Sequence, residues 1–153
     1  MIITLTTDFG LADGYVGAMK GVMLSIAPQA RLVDISHQID AGNIQQAAFV
    51  LSCAAPYFPQ GTIHVAVVDP GVGSSRRAIA ARTSQATFVA PDNGLLSLCL
   101  AGQAAEIRQL SNPRYHLPQL SATFHGRDIF APVAAHLVAG APFEEVGPLV
   151  TDM

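Results

Sequence analysis

Charge is what this 153-residue sequence has least of: 8 Lys and Arg and 11 Asp and Glu, 12% of the chain, about half the share usual in soluble domains. Half of the residues are hydrophobic. That excludes intrinsic disorder, which requires low hydrophobicity together with high charge. A formal net charge of −3 and no basic run beyond Arg76-Arg77 exclude a surface built to coat nucleic acid. Tryptophan is absent, and the only cysteines, Cys53 and Cys99, lie far apart with no CxxC spacing. They read as buried free thiols in apolar stretches, and they place the chain in a reducing, cytoplasmic compartment. Long hydrophobic runs are missing as well. A membrane-spanning helix needs about 20 mostly apolar residues. The longest candidates, 47–55 and 131–141, fall short, and Pro132 and His136 interrupt the second. The N-terminus lacks the basic segment and cleavage site of a signal peptide. With so few charges, the outside must be covered by Ala, Gly and Ser or by another protein surface.

What is present alternates between strand and helix. Ile2–Thr6 is a β-rich run. Val16, Met19, Met23 and Ile26 recur at helical spacing and predict a helix over about 14–27, stopped by Pro28. Arg31–Ile35 reads as a second strand. Ile44, Ala47, Ala48, Leu51 and Ala55 share one face of a helix over about 43–56. Thr62–Val68 is nearly continuous in β-branched residues, as a strand covered on both faces should be. Arg77–Arg82 and Ala86–Ala90 read as adjoining strands, a hairpin around Thr83-Ser84-Gln85. A short helix over 95–100, a strand over 106–110, a Pro-containing loop over 111–121 and a last helix over about 128–139 follow. The alternation predicts an α/β fold, a mostly parallel central sheet flanked by helices, in one domain over 1–153. The segment 146–153 gives no closing element and reads as the start of a linker.

In open α/β sheets, ligands bind beyond the carboxyl ends of the strands. Asp8, Asp69 and Asp92 all fall there, although Asp is also common in turns and helix caps. The segment Asp69-Pro70-Gly71-Val72-Gly73-Ser74-Ser75-Arg76-Arg77 feeds a strand into a rigid Pro, two glycines and two arginines. Glycines allow close backbone approach, and an Arg can orient a carboxylate in a bidentate pair. The segment has neither the P-loop spacing GxxxxGK[ST] nor GxGxxG. Its alternative reading is a tight turn with solvated arginines. In Thr123-Phe124-His125-Gly126-Arg127-Asp128, His125 precedes a Gly at the start of a helix, a place from which an imidazole can project into a cleft and move a proton near neutral pH. Its alternative is a packed or capping histidine. His37, after the second strand, can line the same edge, whereas His64, His116 and His136 read as structural. Asn93-Gly94 reads as a turn, and Tyr15, Phe49, Tyr57 and Phe58 as core or helix-flank residues.

Four segments occur in order: Thr7-Asp8-Phe9-Gly10, Asp69-Pro70-Gly71-Val72-Gly73 with Arg76, Ala90-Pro91-Asp92-Asn93-Gly94-Leu95-Leu96, and Thr123-Phe124-His125-Gly126-Arg127-Asp128. Together they resemble the S-adenosylmethionine hydroxide adenosyltransferase family, adenosine-forming hydrolases related to fluorinase and chlorinase. The resemblance covers nearly the whole chain and implies the N-terminal α/β domain of the fluorinase-like fold. It implies S-adenosylmethionine as the substrate, with water or hydroxide attacking the ribose 5′ carbon and methionine leaving. Asp69, Arg76 and His125 match the family's triad, and Asp8 matches the aspartate that holds the ribose hydroxyls. Thr123, Phe124 and Gly126 match substrate-lining positions. No metal or cofactor is implied, and a homotrimer is.

The halogenases carry Tyr in place of Asp69, Tyr in place of His125 and Ser in place of Gly126, which favours hydrolysis here. The tryptophan that packs on substrate in fluorinase has no counterpart near Ala41-Gly42-Asn43. The family's β-rich C-terminal domain has no counterpart either, so weak or no turnover is expected from these residues alone. An exposed apolar patch beside the Asp8–Asp69 edge is also expected. Two alternatives stay open. One is a metal-dependent nucleoside-type hydrolase using Asp8, Asp13, Asp69 and Asp92, against which stands the lack of a tight carboxylate cluster. The other is a non-catalytic nucleoside-binding or assembly domain.

Overall fold

The computed structural model, which describes residues 1–153, opens with β1 (Ile2–Thr7) and α1 (Tyr15–Ile26). Then come β2 (Arg31–Ser36), α2 (Ile44–Ala54), β3 (Thr62–Val67), β4 (Ala78–Arg82), β5 (Ala86–Pro91), α3 (Ser97–Leu100), β6 (Glu106–Gln109) and α4 (Ala131–Val138). The strands form one mixed sheet in the order β2-β1-β3-β5-β4-β6. The pairs β1/β2, β1/β3 and β3/β5 are parallel, whereas β4 runs antiparallel to both β5 and β6. This is the expected α/β sheet, mostly parallel, with β4 alone reversed.

Alternation along the strands divides the core. Ile3, Leu5, Ile63, Val65, Val67, Ala80 and Val89 face α1 and α4, where they meet Met19, Met23, Phe130 and Val133. Ala66, Val68, Ile79, Ala81, Phe88 and Ala90 face α2 and α3, where they meet Ala47, Leu51, Leu95 and Cys99. Burying both faces is why β3 has no exposed residue. The β4–β5 hairpin turns at Ser84-Gln85: Thr83 N–H donates to Ala86 O at 2.9 Å, and Thr83 Oγ1 accepts from the amides of Gln85 and Ala86. Because β4 is reversed, its first residues lie at the edge where β3 and β5 end. Arg76 and Arg77 thereby join Asp69 and Asp92.

Several expectations need correction. Cys53 is exposed, and only Cys99 is buried. Ala47, Ala48 and Leu51 turn inward on α2, and a residue two beyond Leu51 falls on the opposite side. The helix stops at Ala54, because the chain tightens into a 3₁₀ turn around Pro56. Leu95 and Leu96 are buried but precede α3 rather than belonging to it. The last helix begins earlier and differently than its periodicity predicts. Gly126–Phe130 forms a π turn in which Ala131 N–H bonds Gly126 O, and α4 continues from it. Pro132 has no N–H for the Asp128 carbonyl four residues back, and that carbonyl instead accepts Leu117 N–H at 2.9 Å. The segment 111–121 contains a 3₁₀ turn, Pro113–Tyr115. The closing segment is not loose. Phe143–Val146 forms a 3₁₀ turn, and Val150 N–H donates to Ile107 O at 2.8 Å alongside β6.

Candidate active site

The loops after β1 and β3 and the segment leading into the π turn enclose a cleft of about 260 Å³, lined by Asp8, Asp69, Val72, Phe124 and His125 among others. It lies beyond the carboxyl ends of β1 and β3, where the sheet topology predicts a ligand.

Asp69 forms its floor, held from behind by Arg76. The Asp69 side chain is only 5% exposed and that of Arg76 11%. Arg76 Nε donates to both Asp69 oxygens at 2.9 Å, and the terminal nitrogen also bonds Oδ2. Arg76 does not line the cleft. It sits behind Asp69 with its guanidinium 5.4 Å from the centre of the Phe130 ring. Its terminal nitrogen is also 2.9 Å from His125 Nδ1. A guanidinium can only donate, so Nδ1 is the acceptor, and the neutral imidazole carries its proton on Nε2. A Cβ on Gly71 would meet Ser74 Oγ at 3.3 Å and the Arg76 side chain at an ordinary contact distance of 3.4 Å.

The two loops are locked together at one point. Gly73 has φ +77°, and a Cβ on it would lie 2.4 Å from the Ala122 carbonyl oxygen. Only glycine fits both the backbone conformation and the gap. Beyond Ala122, fully buried Asp128 accepts Ser121 N–H and Arg127 Nε, each at 2.7 Å, which ties the Thr123–His125 segment to the π turn. Burial pushes the Asp128 carboxyl upward, but Arg127 and Ser121 outweigh it and hold the group below the usual carboxylate range. A π turn is a frequent device where a side chain must be aimed at a ligand.

Asp8 accepts Gly42 N–H at 2.8 Å, so the turn before α2 reaches over to the cleft. Thr123 is exposed and Phe124 half-buried. Phe124 meets Phe9 and Tyr15 with ring centres 5.8 and 5.2 Å apart. Gly126 is buried beneath them, and a Cβ on it would touch Met19 Sδ, Phe124 and Phe9 at 3.3 Å each. Tyr15 is half-exposed rather than core, and Leu11 beside it is exposed.

Other candidates lie elsewhere. Asp92 pairs with Arg77 at 2.7 Å, and Arg77 also holds Asp152 at 2.6 Å. Asp13 is exposed. No three His, Cys, Asp or Glu side chains converge closely enough to hold a metal ion, so the four aspartates of the metal-dependent alternative do not form a cluster. His64 is fully buried in the sheet, with Nδ1 bonded to Thr4 Oγ1 at 2.7 Å. His37 is buried under the β1 loop rather than lining the cleft. His116 has an enclosed, unpartnered Nε2; burial lowers its pKa, against a hydrogen bond that the ring donates to the Leu110 carbonyl. The motifs contain Gly73 but do not show that it meets Ala122, nor that Gly42 reaches Asp8, nor the π turn. Their signals are indirect: a glycine before the Asn43 helix cap, a Gly-rich loop, and a proline one turn into a helix.

The N-terminal domain of the SAM hydroxide adenosyltransferase family matches residues 3–147. A protein of Salinispora arenicola named (R)-S-adenosyl-L-methionine hydrolase is 50% identical over 97% of this chain and 57% of its own length. One of the same name from Methanocaldococcus jannaschii is 45% identical over 97% and 58%. A fluorinase from Actinoplanes sp. is 29% identical over 99% and 59%. The crystal structure of an uncharacterized conserved protein from Thermotoga maritima superposes with a TM-score of 0.95 at 46% identity, covering 99% of this chain and 59% of that one. The chain thus spans 57–59% of the length of these relatives.

Proposed function

Because the chain belongs to the SAM hydroxide adenosyltransferase family, matching its N-terminal domain over residues 3–147, we propose that it serves the hydrolysis of S-adenosyl-L-methionine to adenosine and L-methionine. Relatives bearing the hydrolase name at 43–50% identity support this reading over halide chemistry. The observation that carries it is the Asp69–Arg76–His125 contact set at the floor of the cleft.

The sulfonium leaves as a neutral thioether, so the leaving group needs no proton. The site must instead hold one water in line with the breaking carbon–sulfur bond and away from bulk solvent. Arg76 occupies the Nδ1 lone pair of His125, so His125 offers the water an Nε2–H donor. Asp69, holding lone pairs beyond those Arg76 uses, accepts a proton from the water as its oxygen bonds the 5′ carbon. The electron pair of the C–S bond leaves with methionine, and the water's second proton stays as the new 5′ hydroxyl. Asp8 holds the ribose hydroxyls, and Thr123, Phe124 and Gly126 shape the wall around them. The reading takes no metal and no cofactor. It includes a homotrimer and a cytoplasmic location.

The test is incubation with S-adenosyl-L-methionine in ¹⁸O-water. Label in the adenosine 5′ hydroxyl is expected, formed slowly by these residues alone. Asp69→Ala, Arg76→Ala and His125→Ala should each lower the rate by about 10²–10⁴-fold. Unchanged rates remove the assignment, and binding without product favours the non-catalytic alternative.

A further inference from the structure

Asp8 makes one side-chain hydrogen bond, from Gly42, but the backbone around it hangs on a residue outside the cleft. The His37 carbonyl accepts Gly10 N–H at 2.8 Å. His37 Nδ1 lies 2.8 Å from Thr7 Oγ1, and Thr7 Oγ1 accepts Phe9 N–H at 3.2 Å. Residues on both sides of Asp8 are therefore tied to His37 directly or through one hydroxyl. On its far side, His37 Nε2 lies 2.9 Å from Asp34 Oδ1, a polar contact too oblique for a straight hydrogen bond. Asp34 Oδ2 is in turn held by Lys20 Nζ at 2.7 Å.

The protons along this chain have a consistent direction. A carboxylate beside Nε2 favours the tautomer with its proton there. Nδ1 is then an acceptor, so the Thr7 hydroxyl donates to it and keeps a lone pair for Phe9 N–H. Threonine, histidine and aspartate follow one another as in a hydrolytic triad. Thr7, however, is fully buried, and its hydrogen bonds point to the ring and to the backbone, which suits a support and not a nucleophile.

We propose that His37, acting through Thr7, is a positioning residue that sets the Asp8 carboxylate and with it the preference for a nucleoside bearing both ribose hydroxyls. The inference rests on reading Asp8 as the ribose ligand, and two measurements separate the two ideas. The first is the amide proton resonance of Gly42, which reports whether the Asp8 carboxylate is in place and needs no ligand. The second is the affinity ratio of adenosine to 2′-deoxyadenosine by calorimetry. Thr7→Val, which keeps the shape, and His37→Phe should each reproduce most of the Gly42 displacement seen in Asp8→Ala and lower the affinity ratio by about tenfold. His37→Asn, whose Oδ1 can stand where Nδ1 stood, should retain both, and the β3 amides should not move in any variant. A Gly42 resonance unmoved in Thr7→Val would overturn the inference, even if His37→Phe failed to fold. If Asp8→Ala itself left the nucleoside ratio intact, the ribose reading would fall, while the Gly42 resonance would still judge the positioning.

Discussion

A single imidazole, His64, dominates the acid response expected of this fold. It is fully buried, stacked 5.1 Å from Phe88, and burial pushes its pKa down to about 4 from an ordinary 6.5. Between those values the unfolded chain takes up a proton that the folded chain refuses. Stability should therefore fall as the pH drops from 6.5 to 4, by up to about 3 kcal/mol, and this contribution levels off below 4. Urea unfolding across that range checks it. In His64→Phe the slope should shrink without vanishing, because burial lowers His116 and His136 in the same direction. Burial pushes the Asp34 carboxyl upward, but Lys20 and His37 together outweigh it, and the lowered group acts in the same direction in a lower window: its stabilisation is present above pH 3.8 and is lost as the pH falls further. An equal slope in wild type and His64→Phe would show that the buried ring does not control the transition.

Among the elements, the short loops set the site more than the helices do. Gly73→Ala should destabilise the protein by about 1–3 kcal/mol, since a side chain there meets both a positive φ and the Ala122 carbonyl. Thermal unfolding measures that loss, and a fall in the rate of the proposed hydrolysis is expected with it, because the Asp69 and His125 loops part. Pro132→Ala offers a subtler test: the new N–H competes for the Asp128 carbonyl, so the Leu117 amide should exchange faster with solvent. The parts that the sequence made legible are those with repeated signals. Thr62–Val67 announced a doubly covered strand, and Asp69, Arg76 and His125 stood out as unlike their surroundings. The π turn did not, because its i→i+5 bond follows from a proline and from a distant Leu117 that no periodicity connects. Nor did the depth of His37, which depends on how the β1 loop folds over it, or the exposure of Cys53, which one shifted residue on a helical face decides.

For the whole molecule, scarcity of charge turns out to be scarcity of free charge. Seven of the eight basic residues are in ion pairs, Arg31 alone excepted. Most pairs are partly exposed and individually weak, but they leave little positive surface for a polyanion. No helix is long and apolar enough to cross a membrane. Eleven large hydrophobic side chains are exposed and spread over the chain, among them Tyr15, which packs against Phe124 of the cleft, and Phe49 and Tyr57 on and after α2. If the proposed trimer forms and uses the surface around Tyr15, sedimentation should show trimers that Tyr15→Asp converts to monomers, and an unaltered profile would exclude Tyr15 from the contact. The hairpin at Ser84-Gln85 is at the far end of β4 from Arg76, and five residues of strand at about 3.3 Å each put about 17 Å between them. That distance makes the turn a practical handle: a fluorophore or affinity peptide grafted there could follow ligand binding in real time without touching the chemistry it reports.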